Sequence, residues 1–404
     1  MTGRKIFRLY LTLSFLLPGV LPATAQKKEL SEARGYLKSR SNYDKAERLM
    51  TGLLEKDTAN RSNIRIYATW LEAVVGQYEA ANEKLYLKQK YDTAAFYGLI
   101  KRMQQVALAL DSLDSRPDKK GRVRPEYRKR NAQMLDQLRP NLYYGGTMHV
   151  RKGQYSEAFD YFRTYIDAAG QPLFTGYDYM KSDAKMPEAA YWATLCGFRQ
   201  HDADMTLRYS DLALRDTSKT QFTLQYICEA YRLQSDTNRY VSTLAEGFRR
   251  YPEYPYFFPR LADFHTSQGH YDQVLSVADA GLKANPKGQL FLIAKSVALL
   301  NLERYDECIA VSRQMVAEND SLPEAYFNLA TCYLNQALAV EAENEPRKNR
   351  SRLKNLYTEA RPYMERYRKL VPADKQRWAP ALYRIYLNLN LGKQFEEIDQ
   401  LMKR

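Results

Sequence analysis

The sequence predicts an all-α chain, an α-solenoid of antiparallel helix pairs. Three observations carry that expectation. The strings GHYDQV (269–274) and ERYDEC (303–308) recur 34 residues apart, and extending the step gives unit starts at Pro187, Gln221, Pro255, Gln289 and Pro323. Position 32 of the frame is Pro252, Pro286 and Asp320, then Pro372 after an 18-residue insertion, so each second helix stops at one phase. Finally, 18 Gly and 16 Pro in 404 residues exclude collagen-like and low-complexity classes, and a mean hydropathy of -0.59 excludes a polytopic membrane protein. A repeat array also removes the need for the two or three domains that the length suggests.

Taken in order, the chain opens with Arg4, Lys5 and Arg8, the apolar run 9–17, a Pro18–Gly19 break and Ala23-Thr24-Ala25. This order of features predicts a secretory signal peptide over residues 1–25, with an apolar run too short to span a bilayer. Cys does not follow the small residues, so no lipid anchor is indicated. Loss of the three cations lowers the net charge from +14 to +11. The expected location is the periplasm, or the outer membrane's periphery, of a Gram-negative bacterium, with no transmembrane segment in the mature chain.

Residues 26–138 read as N-terminal helical hairpins. Residues 27–60 fit one unit, with Tyr43 at position 17 and Ala46 at position 20. A longer hairpin follows, 64–88 and 91–113, and then a basic linker. Residues 139–404 read as the array proper, with insertions near 173–186 and 337–354. Its first unit carries Gly146 at position 8, Gly153-Gln154-Tyr155 at the turn, Ala158 at position 20 and Phe162 at position 24. The unit from Pro323 has Tyr326, Leu329, Ala330 and Tyr333 at positions 4, 7, 8 and 11, then Tyr357 and Ala360 at 17 and 20. Small residues at 8 and 20 let two helices approach, and aromatics fill the gap to the next unit. A degenerate last unit holds Trp378, Tyr386, Gly392 and Phe395.

This pattern resembles the tetratricopeptide repeat over nearly the whole chain. Lys295 and Ser296 at positions 7 and 8, and Thr237 at position 17, depart from it. The resemblance implies a right-handed superhelix whose first helices line a concave groove, and a non-catalytic scaffold that binds a protein or peptide. Positions 2, 5, 9 and 12 then offer Tyr143, Thr147, Tyr191, Phe198, Phe222, Gln225, Arg232, Tyr256, Asp263 and Phe327 as partner-binding candidates. The Lys/Asn pair with which some members hold a ligand's terminal carboxylate has no counterpart at positions 5 and 9.

Two basic stretches lie outside the frame. One contains Lys119, Lys120, Arg122, Arg124 and Arg128; the other, in the last insertion, contains Arg347, Lys348, Arg350 and Arg352. Such clusters suit an anionic envelope surface or an acidic partner, or serve as solvated charge; an exported chain seldom meets nucleic acid. No cofactor or metal is expected. His149, His201, His265 and His270 are scattered, only Asp263, His265 and His270 share a turn, and HExxH, GxSxG, Walker and GxGxxG motifs are absent from the sequence. Cys196, Cys228, Cys308 and Cys332 form no CxxC motif; Cys308 and Cys332 flank one turn symmetrically, which leaves a disulfide open. Two alternatives stand beside the scaffold: a carbohydrate- or nutrient-binding accessory of an outer-membrane transporter, and an α-toroid enzyme acting on polysaccharide.

Overall fold

A computed structural model describes residues 21–343 and 345–403, and every regular element among them is helical. The predicted export segment lies outside them except for residues 21–25, which open the first helix. Two compact units emerge, residues 1–220 and 221–404.

In the first unit, α1 (Leu21–Lys38) pairs with α2 (Tyr43–Lys56), and the long α3 (Ile64–Tyr86) pairs with α4 (Thr93–Asp114). The short α5 (Arg128–Leu138) leads into the pair α6 (Pro140–Arg151) and α7 (Tyr155–Asp167). The 173–186 insertion is not a loose loop. It packs Leu173 and Phe174 inside and forms a single-turn helix α8 (Tyr179–Ser182). Next comes α9 (Met186–Arg199), whose partner is broken into α10 (Ala203–Leu207) and α11 (Ser210–Ala213).

The second unit holds the pairs α12 (Thr220–Leu233) with α13 (Thr237–Arg250), and α14 (Phe257–Ser267) with α15 (Tyr271–Ala284). They are followed by α16 (Gln289–Asn301) with α17 (Tyr305–Glu318), α18 (Pro323–Ala342) with α19 (Pro346–Leu370), and α20 (Lys375–Asn388) with α21 (Gly392–Lys403). Second helices begin at Ala203, Thr237, Tyr271 and Tyr305, each 34 residues after the last. The turn before them has one conformation: His201, Ser235, Gly269 and Glu303, also 34 apart, all have φ between 54° and 70°. Gly153 takes the same place at φ 71° in the α6–α7 turn. Only glycine adopts this left-handed backbone without steric cost, so three of these turns carry strain.

A second 34-residue rhythm locks neighbours together. Gly247 and Gly281 sit inside α13 and α15, and a Cβ on either would strike the ring of Phe257 or Phe291 from the next first helix. One step further the volumes are exchanged: Met315 occupies the glycine's place and packs with Ala325 at the phenylalanine's. Large fits small in either order, because the space between packed helices is nearly fixed. The departures from the repeat pattern are also accommodated. Ser296 accepts a buried hydrogen bond from Asn328 at 2.9 Å, and Lys295 pairs with Asp279 at 2.7 Å.

The 337–354 insertion lengthens α18 and α19 instead of forming a loop, making α19, at 25 residues, the longest helix described. All four cysteines are buried and unbridged. Cys308, facing Cys332 across α17 and α18, donates instead to the Ser296 carbonyl at 3.2 Å.

Candidate functional site

The most elaborate polar cluster in the first unit surrounds an open cavity of about 440 Å³ where α5, α6, α7, α8 and the start of α9 meet. Arg139, only 5% exposed, forms its floor. Its guanidinium lies 3.7 Å from the ring centre of Tyr165 and 4.0 Å from that of Tyr179, so it is held between two π faces. Its Nη1 donates to Asp183 and its Nη2 to the Tyr165 carbonyl at 3.1 Å. Asp183 also accepts from the Tyr165 hydroxyl and, at 2.8 Å, from the Lys185 amide. Tyr179 donates to Asp136 at 2.8 Å. At the rim, Lys185 Nζ sits 5.2 Å above the Tyr143 ring and pairs with Glu188 at 2.9 Å, while Tyr144 is 53% exposed.

The electrostatics fix the ionisation of these groups. Burial, then a hydrogen bond with Glu188, pushes the Tyr143 phenol up to about 12. Burial and carboxylate partners push Tyr165 and Tyr179 up as well. Desolvation acts to raise Asp183, but hydrogen bonds from Tyr165, Arg139 and the Lys185 amide outweigh it and hold its carboxyl below the ordinary value. Every shift moves a group away from neutrality in the direction that preserves its charge state, the opposite of what a general acid or base at pH 7 requires. The arrangement is a rigid aromatic and cationic surface.

The sequence-predicted residues divide between surface and internal bonds. Tyr143, Tyr191 and Tyr256 are largely buried, with Tyr143 lining the edge of the Arg139 cavity. Thr147 caps back onto the Tyr144 carbonyl at 3.0 Å, and Phe198 is half-buried. Within the second unit, Phe222 meets Tyr254 edge-on at 5.8 Å, and the Tyr254 hydroxyl donates to Gln225. Tyr256 donates to Glu229 at 2.8 Å beneath the Arg260 guanidinium, and Glu229 pairs with Arg232 at 2.7 Å. Phe327 lies 3.7 Å under Arg377, which forks onto Glu324. Asp263 is exposed. Adjacent first helices thus bond to one another through these positions, because side chains that project from one helix reach the next before they reach solvent.

The basic stretches also need correction. Arg128 is only partly exposed and already paired: its guanidinium forks onto buried Asp111 with two bonds of 2.8 Å and donates to Ser115 at 2.6 Å, pinning α5 to α4. Lys119, Lys120, Arg122 and Arg124 are exposed, with Arg122 paired to Asp118 at 2.8 Å. Arg347, Lys348, Arg350 and Arg352 lie exposed on the opening turns of α19, where Lys348 pairs with Glu345 at 2.6 Å and Arg352 with Glu343 at 3.0 Å. His265 and His270 have ring centres 6.5 Å apart, and no group of three or more His, Cys, Asp or Glu among the described residues could hold a metal. No helix among them is long and apolar enough to cross a membrane.

Sequence reasoning missed Arg139, Tyr165, Tyr179, Asp183 and Lys185. Three of the five lie in or beside the 173–186 insertion, and its paired Tyr177 and Tyr179 with the alternating charges Asp178, Lys181, Asp183 and Lys185 were the available signal.

The repeating helix pairs with their in-phase turns define a tetratricopeptide-like array. Among similar solved structures is the P58(IPK) TPR domain, with 14% identity over 94% of this chain and 99% of that one, at a TM-score of 0.26. Another is yeast Tom70, with 14% identity over 93% and 99% of the two chains and a TM-score of 0.31. A third is the TPR2AB domain of yeast Sti1 in a complex with pHSP90, with 11% identity over 66% and 97% and a TM-score of 0.23. No protein-family model and no curated protein matches the chain.

Proposed function

We propose that this chain is a non-catalytic interaction scaffold of the cell envelope that holds a protein or peptide partner. The observation that carries the reading is the cavity above Arg139. Tyrosine and arginine dominate protein-binding hot spots, and here they are already locked in place by stacking and by Asp183. A surface ordered beforehand loses little side-chain entropy on binding. Envelope location rests on the order of charge, apolar run and small residues in 1–25, and is tested by the mass of the mature N-terminus, expected at Gln26.

The test of the scaffold is site-specific photocrosslinking from position 144 in cells. A discrete protein adduct, weakened by Lys185→Glu, is the expected result. Adducts that do not change with Lys185→Glu, together with saturable glycan binding by the purified chain, would replace the scaffold with the carbohydrate-binding alternative.

A further inference from the structure

A different groove of the first unit, built by a segment outside the 34-residue frame, points to the chemistry of a partner. It runs between α1, α3 and α5 as two adjoining hollows of about 260 and 490 Å³ that share Leu37, Ala68, Glu72 and Tyr127. Leu37, Leu71, Val75, Leu110 and Met134 give the larger-scale floor an apolar character. The α5 wall is fixed in position by the Arg128–Asp111 fork and by the Tyr127 amide, which donates to Asp114 at 2.8 Å.

Two independent features of this groove ask for a negatively charged acceptor. Asn131 lines it, is only 5% exposed, and its Nδ2 donor has no partner among the described residues. A buried amide donor left unpaired is costly, and a ligand oxygen would satisfy it. The lining also carries Arg34, Lys38, Arg40, Arg65 and Arg130 against only Glu72 and Glu79. None of the five cations forms an ion pair within the described residues, although ion pairs run elsewhere along the chain, from Arg48–Asp44 to Lys403–Asp399. Unpaired like charges around an apolar floor repel one another until a complementary charge arrives.

We infer that this groove binds an acidic peptide segment that also carries apolar side chains, its carboxylates meeting the rim cations and one of its oxygens meeting Asn131. The open, elongated form suits an extended chain more than a compact small molecule. The chain's own first twenty residues do not fit, since Arg4, Lys5 and Arg8 are their only charges. The inference rests on the scaffold reading, but it concerns another face, and its test does not involve Tyr144 or Lys185.

The experiment is fluorescence anisotropy of the full chain with a short fluorescein-labelled Glu/Leu peptide, beside a Gln/Leu peptide of equal length. Binding that prefers the Glu/Leu peptide and weakens with salt is expected. Arg40→Glu with Arg130→Glu should weaken it by about tenfold or more, since like charges then face each other. Asn131→Leu should also weaken it, while Lys119→Glu with Lys120→Glu, an equal change of charge elsewhere, should leave it unaltered. Circular dichroism and thermal midpoints establish that each variant is folded. Equal affinity for the two peptides, or equal losses from the rim and the 119/120 variants, would overturn the inference. So would saturable binding of dodecanoate or of phosphatidylglycerol vesicles while neither the Glu/Leu nor the Gln/Leu peptide saturates. Failure here with a position-144 adduct intact removes this groove alone; loss of that adduct with peptide binding intact removes the other site.

Discussion

The exchange of volumes between Gly281–Phe291 and Met315–Ala325 can be transplanted. Phe291 is 7% exposed and also stacks edge-on against Phe258 at 4.5 Å, so Phe291→Ala empties a packed slot at a cost of about 3–5 kcal/mol. A Cβ at Gly281 would lie 2.5 Å from the Phe291 ring. Gly281→Met alone therefore overpacks by about 1–3 kcal/mol, offset in part by about 0.5–1 kcal/mol of improved helix propensity. Together the two changes copy the pair found 34 residues later, with the methionine refilling the space the ring vacates. Their combined loss should fall short of the sum of the single losses by roughly 2 kcal/mol, a coupling of the size seen between touching residues. Urea denaturation followed by far-ultraviolet circular dichroism on the wild type, both single variants and the double variant closes the cycle. If the losses add to within about 0.5 kcal/mol, the two positions do not share one slot and the reasoning fails.

Two further predictions follow from the same geometry. The left-handed turn at Glu303, φ 59°, should welcome glycine, so Glu303→Gly is expected to raise the urea midpoint by the equivalent of about 0.5–1 kcal/mol, and Gly269→Ala to lower it; a Glu303→Gly variant less stable than wild type would contradict the strain. Asp183 titrates below its ordinary value when folded, so the stability it contributes is present above the unfolded carboxyl range near about pH 4 and is lost as pH falls through the folded value. Asp183→Asn should accordingly be less stable than wild type at neutral pH, with the difference shrinking in acid. A difference that stays constant from neutral to acidic pH would show that the Arg139–Asp183–Tyr165 network is not the source.

The repeat was legible because packing imposes its period on the sequence. Pro252, Pro286 and Pro372 end helices wherever they occur, and Ala330 and Ala360 mark close approach without knowledge of what approaches. The registers of α12 through α18 could therefore be counted from residues alone. The left-handed turns were less visible, since only Gly153 and Gly269 among those five positions announce them.

What the sequence by itself determined is the helix-pair architecture, a local property repeated at fixed spacing. Only the tertiary structure decided which side chains remain available at the surface. Tyr143 and Tyr256 occupy nominal groove positions yet are spent on Phe162, Glu188, Glu229 and Arg260, whereas Arg139 gains its meaning from a partner 44 residues away and Asn131 from an amide donor with no partner among the described residues. Periodicity fixes the direction in which a residue leaves its helix; what it meets there depends on irregular segments such as α5 and α8, which obey no period.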